Sequence, residues 1–261
     1  MPSPCSLRYT TPMIGTSAQH ITAIATILFL AGIVKGVIGM GLPTVSMAML
    51  GSIMPPVAAA SLLIVPSFVT NMWQLLAGPD FRGLAVRLWP MLAGLLAATI
   101  AFSGLLTADT GGWTKTALGA AIAFYAALGL LELHWRVSPN AKRRLPLLIG
   151  LSTGIVTGAT GVSVVPAVPY LQALGLFRDD LIQSLGLTFT VSSIALTIGL
   201  TSRGAFHLGD AAASALAIVP ALMGMWIGQR IRERISLAAF RRWFLIALLL
   251  LGLELMLRRF L

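Results

Sequence analysis

Charged side chains are scarce in this sequence. Only 10% of its 261 residues are charged, whereas 57% are hydrophobic and the mean hydropathy is +0.91. A soluble domain carries roughly 25% charged residues, because its surface must be hydrated. The scarcity excludes a soluble enzyme, a disordered protein and a secreted disulfide scaffold. It predicts an all-α, polytopic helical membrane protein.

Residues that bind metals or catalyse reactions are also few. Cys5 is the single cysteine, so the chain forms neither an internal disulfide nor a cysteine-rich metal site. His20, His134 and His207 lack metal-ligand spacing, and no Ser/His/Asp arrangement lies within an apolar segment. We therefore predict no catalytic residue, no metal and no cofactor, and a protein that is not an enzyme.

The acidic residues, eight in all, lie mainly at the ends of apolar segments. Glu132 and Glu254 occupy matching helix ends, which favours an interfacial or helix-pairing role over proton coupling. The aspartates lie in loops or at helix starts, where capping is the default. They are Asp80, Asp109, Asp179, Asp180 and Asp210.

Basic residues outnumber acidic ones, with 18 Lys and Arg against eight Asp and Glu. In a soluble protein this excess would suggest nucleic acid binding, but in a membrane protein it marks cytoplasmic loops. One set of loops contains Arg82, Arg87, Arg136, Lys142, Arg143, Arg144, Arg178, Arg230, Arg232, Arg234, Arg241 and Arg242, and the opposite side contains Arg8, Lys115, Arg203, Arg258 and Arg259. We assign the first set to the cytoplasm, which places both termini outside and predicts no nucleic acid partner.

Ten apolar segments follow a polar tail at 1–20, which has no convincing secretory signal. They lie near 21–39, 41–54, 56–77, 84–107, 112–133, 145–158, 162–176, 181–201, 210–229 and 238–257. Spanning the bilayer takes about 20 helical residues, so the segments at 41–54, 145–158 and 162–176 are short and suggest broken or re-entrant helices. Both eight and ten crossings fit. We expect a single transmembrane transporter domain at 21–261.

The two halves of the chain resemble each other. Gly32-Ile-Val-Lys-Gly-Val-Ile-Gly39 aligns with Gly154-Ile-Val-Thr-Gly-Ala-Thr-Gly161, and Pro90-x-x-x-Gly94 recurs as Pro220-x-x-x-Gly224. Each half crosses the membrane an odd number of times, which would invert the second. These patterns predict inverted repeats at 21–133 and 145–257, an architecture common among secondary transporters.

Lys35 is the sharpest candidate functional residue. A lysine inside a membrane helix costs about 2.5–3.5 kcal/mol on insertion scales, so it normally faces protein or water. Small residues surround it on its helix face, which suits a cavity or close helix packing. The alternative is snorkelling of the side chain to the membrane surface.

Glycine-rich stretches would interrupt helices near the middle of the membrane. They are Gly36-x-x-Gly39-x-Gly41-x-Pro43 and Gly154-x-x-x-Gly158-x-x-Gly161. A helix that restarts after such a break presents free amides and a positive dipole end to anions. The alternative is tight packing between helices. The first stretch is not a dinucleotide-binding motif, because no strand precedes it.

Polar residues form a stripe on one face of the 56–77 segment. Ser67, Thr70, Asn71 and Gln74 follow helical spacing, and Thr190, Ser193 and Thr197 repeat the pattern in the second half. Thr153, Thr157 and Thr160 lie on the repeat face that matches Lys35. Such hydroxyls often bond their own backbone, but together the stripes could line a route for an oxygen-rich anion.

At these repeats the sequence resembles the sulfite exporter TauE/SafE family of membrane transporters. The resemblance rests on Gly36-Val-Ile-Gly39-Met-Gly41-Leu-Pro43 with Ala58-Ala-Ala-Ser61-Leu, and on Gly158-Ala-Thr-Gly161-Val-Ser-Val-Val-Pro166 with Gln183-Ser184-Leu. It covers nearly the whole chain. Val162, Ser163 and Val164 replace the additional glycines that family members often carry. The resemblance implies transport of small anions, typically sulfite, sulfonates or other small acids.

Residues and resemblance together predict a secondary transporter of small anions, working by alternating access in the inner (cytoplasmic) membrane. The expected partners are the anion, the lipid bilayer, a coupling proton or ion, and a second copy in a homodimer. A non-transporting membrane scaffold or accessory subunit is the alternative. The predicted substrate-binding residues are Lys35, Gly36, Gly39, Gly41, Pro43, Asn71, Gln74, Thr157, Thr160, Gly161, Ser163, Thr190 and Ser193.

Overall fold

The computed structural model describes residues 18–108, 112–131 and 144–258, and all regular secondary structure in these ranges is helical. The helices are α1 (Ala18–Ile38), α2 (Leu42–Ile53), α3 (Pro56–Leu76), α4 (Phe81–Thr107), α5 (Trp113–Leu130), α6 (Leu145–Thr160), α7 (Ala167–Ala173), α8 (Arg178–Thr201), α9 (Leu208–Leu216), α10 (Ile218–Arg232) and α11 (Leu237–Leu257). Within the described ranges, five helical stretches are long and apolar enough to span a membrane. The all-α polytopic prediction is confirmed.

Two segment boundaries differ from the sequence prediction. The segment predicted at 210–229 bends at Ala217 into α9 and α10, although Ala211–Arg232 still has the length and hydropathy of one span. The segment predicted at 162–176 is helical only over α7, and the chain from Val162 to Pro166 before it is not helical. Most of the polar tail, as well as Asp109, Glu132 and His134, lies outside the described residues.

Positive backbone φ angles mark the breaks after the first helix of each half. Gly39 (φ 85°) and Gly41 (φ 110°) separate α1 from α2, and Gly161 (φ 75°) ends α6. Residues with a Cβ rarely adopt these angles, so glycine permits the chain to leave the helix there. Pro43 then lies in the first turn of α2, where its missing N–H breaks no helical hydrogen bond. The structure therefore confirms short, interrupted helices in both halves.

Helices pair across the two halves through glycines. A Cβ on Gly32 would lie 2.3 Å from the Ala221 carbonyl oxygen, and one on Gly228 would lie 2.2 Å from that of Ile33, so α1 and α10 pack backbone to backbone. The same packing joins α4 to α6, where a Cβ on Gly150 would lie 2.0 Å from the Met91 carbonyl oxygen. Small residues at these positions permit the close approach that membrane helices use in place of hydrophobic burial.

Helix α3 lies against α8 and α9 and is held to α9 at a proline. Pro66 has no N–H, so the Leu62 carbonyl lacks its usual partner within the helix. The buried Ser214 hydroxyl donates to the Leu62 oxygen over 2.7 Å and accepts from the Val65 N–H over 3.1 Å. Nearby, the Ser61 hydroxyl donates to the Ala205 oxygen over 3.2 Å. These bonds connect the beginning of α3 to the region after α8.

Large apolar side chains cover much of the outer surface. Val86, Leu76 and Trp243 are each more than 70% exposed, and 28 large hydrophobic residues in the described ranges are exposed in all. A soluble protein would not leave so much apolar surface in contact with water. Lipid chains solvate such a surface, as expected for a membrane protein.

Candidate functional site

A cavity of about 380 Å³ lies between α1, α3, α8 and α10. Both glycines that frame the end of α1, Gly36 and Gly39, contribute to its wall. The lining also includes the loop that joins α3 to α4. The complete set is Lys35, Gly36, Gly39, Trp73, Gln74, Ala77, Gly78, Pro79, Asp179, Ile182, Met225, Gln229 and Arg232. The cavity is large enough for a small organic ion.

Lys35 lies in the wall of this cavity with only 2% of its surface exposed. Its ammonium group donates a hydrogen bond to Oδ1 of Asn71 on α3. Among the described residues the one salt bridge joins Arg258 to Glu254, so no carboxylate there neutralises Lys35. A lysine ammonium has three donors. The site therefore presents a buried lysine amino group with hydrogen-bonding capacity to spare.

Two amides beside Lys35 are fixed in orientation by their partners. Nε2 of Gln74 donates to the carbonyl oxygens of Gly39 (2.7 Å) and Ile182 (2.9 Å), and carbonyls can only accept. Oε1 of Gln74 is consequently left as a buried acceptor without a partner. In Asn71 the oxygen is occupied by Lys35, and the buried Nδ2 donor is without a partner.

Arg232 and Asp179 add charge to the cavity lining, and each interacts electrostatically with the other. With a protonated Lys35 the lining holds two cations and one anion, a balance that favours an anionic ligand. Sequence reasoning placed Arg232 among loop charges and Asp179 at a helix start. It did not identify Trp73 or Gln229. The signal for Gln229 was its spacing, because it lies one turn before Arg232 on α10 and therefore on the same helix face.

The structure brings some of the predicted binding residues together and leaves others apart. Lys35, Gly36, Gly39 and Gln74 line the cavity, and Asn71 contacts Lys35 directly behind them. Gly41 and Pro43 are not in the lining. Gly36 also serves helix packing, since a Cβ there would lie 2.2 Å from the Met225 carbonyl oxygen.

The predicted residues of the second half lie outside the cavity lining. A Cβ on Gly161 would lie 2.9 Å from Cε of Met47 on α2, and Ser163 is buried in the chain between α6 and α7. The four remaining hydroxyls donate to carbonyls of their own helices over 2.7–2.9 Å. They belong to Thr157, Thr160, Thr190 and Ser193.

In the ranges that the structure describes, no three His, Cys, Asp or Glu residues lie close enough together to hold a metal ion. The groups that the cavity offers to a ligand are ammonium, guanidinium, amide, indole and a single carboxylate. Such groups bind and orient an ion.

Fold and cavity together define a polytopic helical membrane protein with a polar, cation-containing cavity among its helices. Residues 24–255 match the protein family described as sulfite exporter TauE/SafE, and the chain belongs to this family. The family is one of membrane transporters, so the resemblance noted in the sequence is confirmed and the chain is a multi-pass membrane transporter. The comparisons with curated proteins and with solved structures gave no match.

Proposed function

We propose that this protein is a secondary transporter of a small anion, such as sulfite, an organosulfonate or a related small acid, across the cytoplasmic membrane. The observation that carries the proposal is the buried ammonium of Lys35 in a cavity wall, without a carboxylate partner in the described ranges. A charge this deeply buried is costly unless a counter-ion reaches it. An anion bound in the cavity supplies that counter-ion.

The cavity opens toward the cytoplasm if the positive-inside rule sets the orientation. Its lining includes Pro79, Asp179 and Arg232, which lie in or beside loops that contain the basic majority. Near the other end of α3, the hydroxyls of Ser214 and Ser61 form hydrogen bonds that join α3 to α9 and to the loop after α8. The arrangement supports an inward-facing state of an alternating-access cycle.

The proposed motion alternates the two repeats between two arrangements around the cavity. Each half contributes one helix to each of two close pairs, α1 with α10 and α4 with α6. The aligned sequences equate α1 with α6 and α4 with α10, so the second pair is the repeat-related counterpart of the first. An inverted repeat can adopt two related arrangements around one central site. Breaking the Ser214 bonds while closing the wall around Lys35 would convert an inward-facing cavity into an outward-facing one.

Substitution of Lys35 tests the proposal. Lys35→Met keeps the length of the side chain and removes the charge, so uptake of labelled sulfite or sulfonate into proteoliposomes should fall by about tenfold or more. Lys115→Met is the matched control, because Lys115 is outside the cavity lining. Unchanged flux in Lys35→Met would remove this residue from the mechanism.

The scaffold alternative makes a different prediction. Wild-type protein in vesicles preloaded with unlabelled anion should exchange it for labelled anion if it is a transporter. Failure to exchange sulfite, any sulfonate or any small carboxylate would favour a scaffold or accessory subunit.

A further inference from the structure

The two free amide atoms behind Lys35 have opposite hydrogen-bonding character. Gln74 retains an acceptor, Oε1, because its Nε2 is held by two carbonyls. Asn71 retains a donor, Nδ2, because its oxygen is held by Lys35. The residues are three positions apart on α3, so their side chains are neighbours on one helix face.

A simple oxyanion satisfies only part of this arrangement. Its oxygens accept hydrogen bonds from the Lys35 ammonium, but they repel the side-chain carbonyl oxygen of Gln74. Gln74 is 92% buried, given its 8% exposure, and a buried acceptor without a partner costs free energy. A ligand that carries its own N–H or O–H donor removes this cost.

We propose that the site selects anions that bear a hydrogen-bond donor beside their charged oxygens. This inference rests on the proposed anion site and names its substrate class. Two kinds of anion meet the requirement: a hydroxy or amino acid, and an oxyanion that retains one proton, such as hydrogensulfite. The negative oxygens pair with Lys35 while the donor reaches Oε1 of Gln74, and both of these residues line the cavity.

Discrimination of this kind is large when the site is buried. A pocket built to pair with a substrate hydroxyl rejects the analogue that lacks it, because the polar group of the protein is then left unpaired. We expect the donor-bearing member of a matched ligand pair to bind about tenfold more tightly or better.

Matched ligand pairs provide the experiment on the purified full-length protein. Binding of 2-hydroxyethanesulfonate is compared with that of ethanesulfonate, and binding of glycolate with that of acetate, by calorimetry in detergent. A separate experiment compares the affinity for sulfite at a pH where the anion retains one proton with that at a pH where it has lost this proton. Ethanesulfonate, whose charge is the same at both pH values, is the control for effects of pH on the protein. Preference in the first two pairs identifies an organic hydroxyl as the donor, and preference only for protonated sulfite identifies the oxyanion proton.

Two glutamine variants assign the preference to one side chain. Gln74→Leu removes the free acceptor and should abolish the discrimination. Gln183→Leu is the matched control: Gln183 also links α8 to the α3 end, but both its amide atoms are bonded, to the Leu75 oxygen and the Asp80 N–H over 2.8 Å each. The control should retain the discrimination.

The outcomes separate this inference from the proposed function. Equal affinity within every pair in the wild-type protein would overturn the donor requirement while leaving the anion site intact, and this test does not depend on any variant folding. Loss of discrimination in Gln183→Leu as well would overturn its assignment to Gln74. Absence of binding by all probes, or wild-type affinity in Lys35→Met, would instead overturn the anion site itself.

Discussion

Lys35 and Asn71 form the central pair of the candidate site at the scale of single residues. The neutral amide supplies a hydrogen bond to the ammonium without cancelling its charge. A carboxylate at the same position would neutralise the charge of Lys35. In the proposed anion site, the amide therefore leaves the charge of Lys35 to be balanced by the ligand.

Replacement of Asn71 by Asp tests this reasoning. Asn71→Asp is nearly isosteric and gives Lys35 a counter-ion, so anion affinity should fall by about tenfold or more while the protein remains folded. Calorimetric titration with sulfite or ethanesulfonate, together with thermal unfolding in detergent, measures both properties. Thr70→Val is the control, since the buried Thr70 hydroxyl donates to the Pro66 and Ser67 oxygens of its own helix. Undiminished affinity in Asn71→Asp would argue against a free charge at Lys35.

The hydroxyl residues of the second half show where residue-scale reasoning from sequence reaches its limit. Thr190 and Ser193 have the spacing of a polar stripe, and both donate to the backbone of α8. Spacing predicts that side chains share a face, but it does not say whether a hydroxyl bonds its own helix or a ligand. Gln74 and Asn71 differ because a side-chain amide has both donor and acceptor atoms. One carbonyl oxygen of the same helix cannot satisfy all of them.

Glycine contacts determine helix packing at the scale of secondary-structure elements. Both proposed roles of the glycine-rich stretches occur, in different residues. Gly32 and Gly36 lie against the backbone of α10, whereas Gly39, Gly41 and Gly161 have positive φ angles at helix breaks. Sequence alone left these roles as alternatives, because a glycine motif looks the same in either setting.

A methyl group at Gly32 should separate two helices. Gly32→Ala places a Cβ 2.3 Å from the Ala221 carbonyl oxygen, a backbone atom that cannot move alone, so α1 and α10 must shift. We expect destabilisation of about 1–3 kcal/mol, seen as a lower unfolding temperature in detergent. Gly129→Ala is the control. Its new methyl group would lie 2.8 Å from Cδ1 of Leu245, and this flexible side chain can rotate away. Equal unfolding temperatures for the two variants would contradict the close-packing account.

Orientation in the membrane is a property of the whole molecule. Basic residues are concentrated in one set of loops, and the cavity lining reaches the loop that contains Pro79. The loop after α8, with Ser202, belongs to the other set. If the positive-inside rule applies, the two loops lie on opposite sides of the bilayer.

Cysteine labelling checks this orientation in intact cells. In a Cys5→Ser background, Ser202→Cys should react with a membrane-impermeant maleimide added outside, and Pro79→Cys should react only after the membrane is permeabilised. Both positions are exposed, so accessibility reports sidedness and not burial. The reverse labelling pattern would invert the assignment and place the cavity opening on the outer side.

The sequence by itself determined the class of the protein, the approximate position of most helices, the two glycine breaks and the presence of a lysine within a membrane helix. These features follow from local hydropathy, backbone conformation and the cost of burying charge, all of which act within a short stretch of chain. Only the tertiary structure decided which polar atoms meet. It placed Asn71 against Lys35, gave Gln74 the Gly39 and Ile182 carbonyls, and brought Trp73, Gln229 and Arg232 to one cavity. A cavity forms where distant helices fail to touch, and that depends on how all of them pack together.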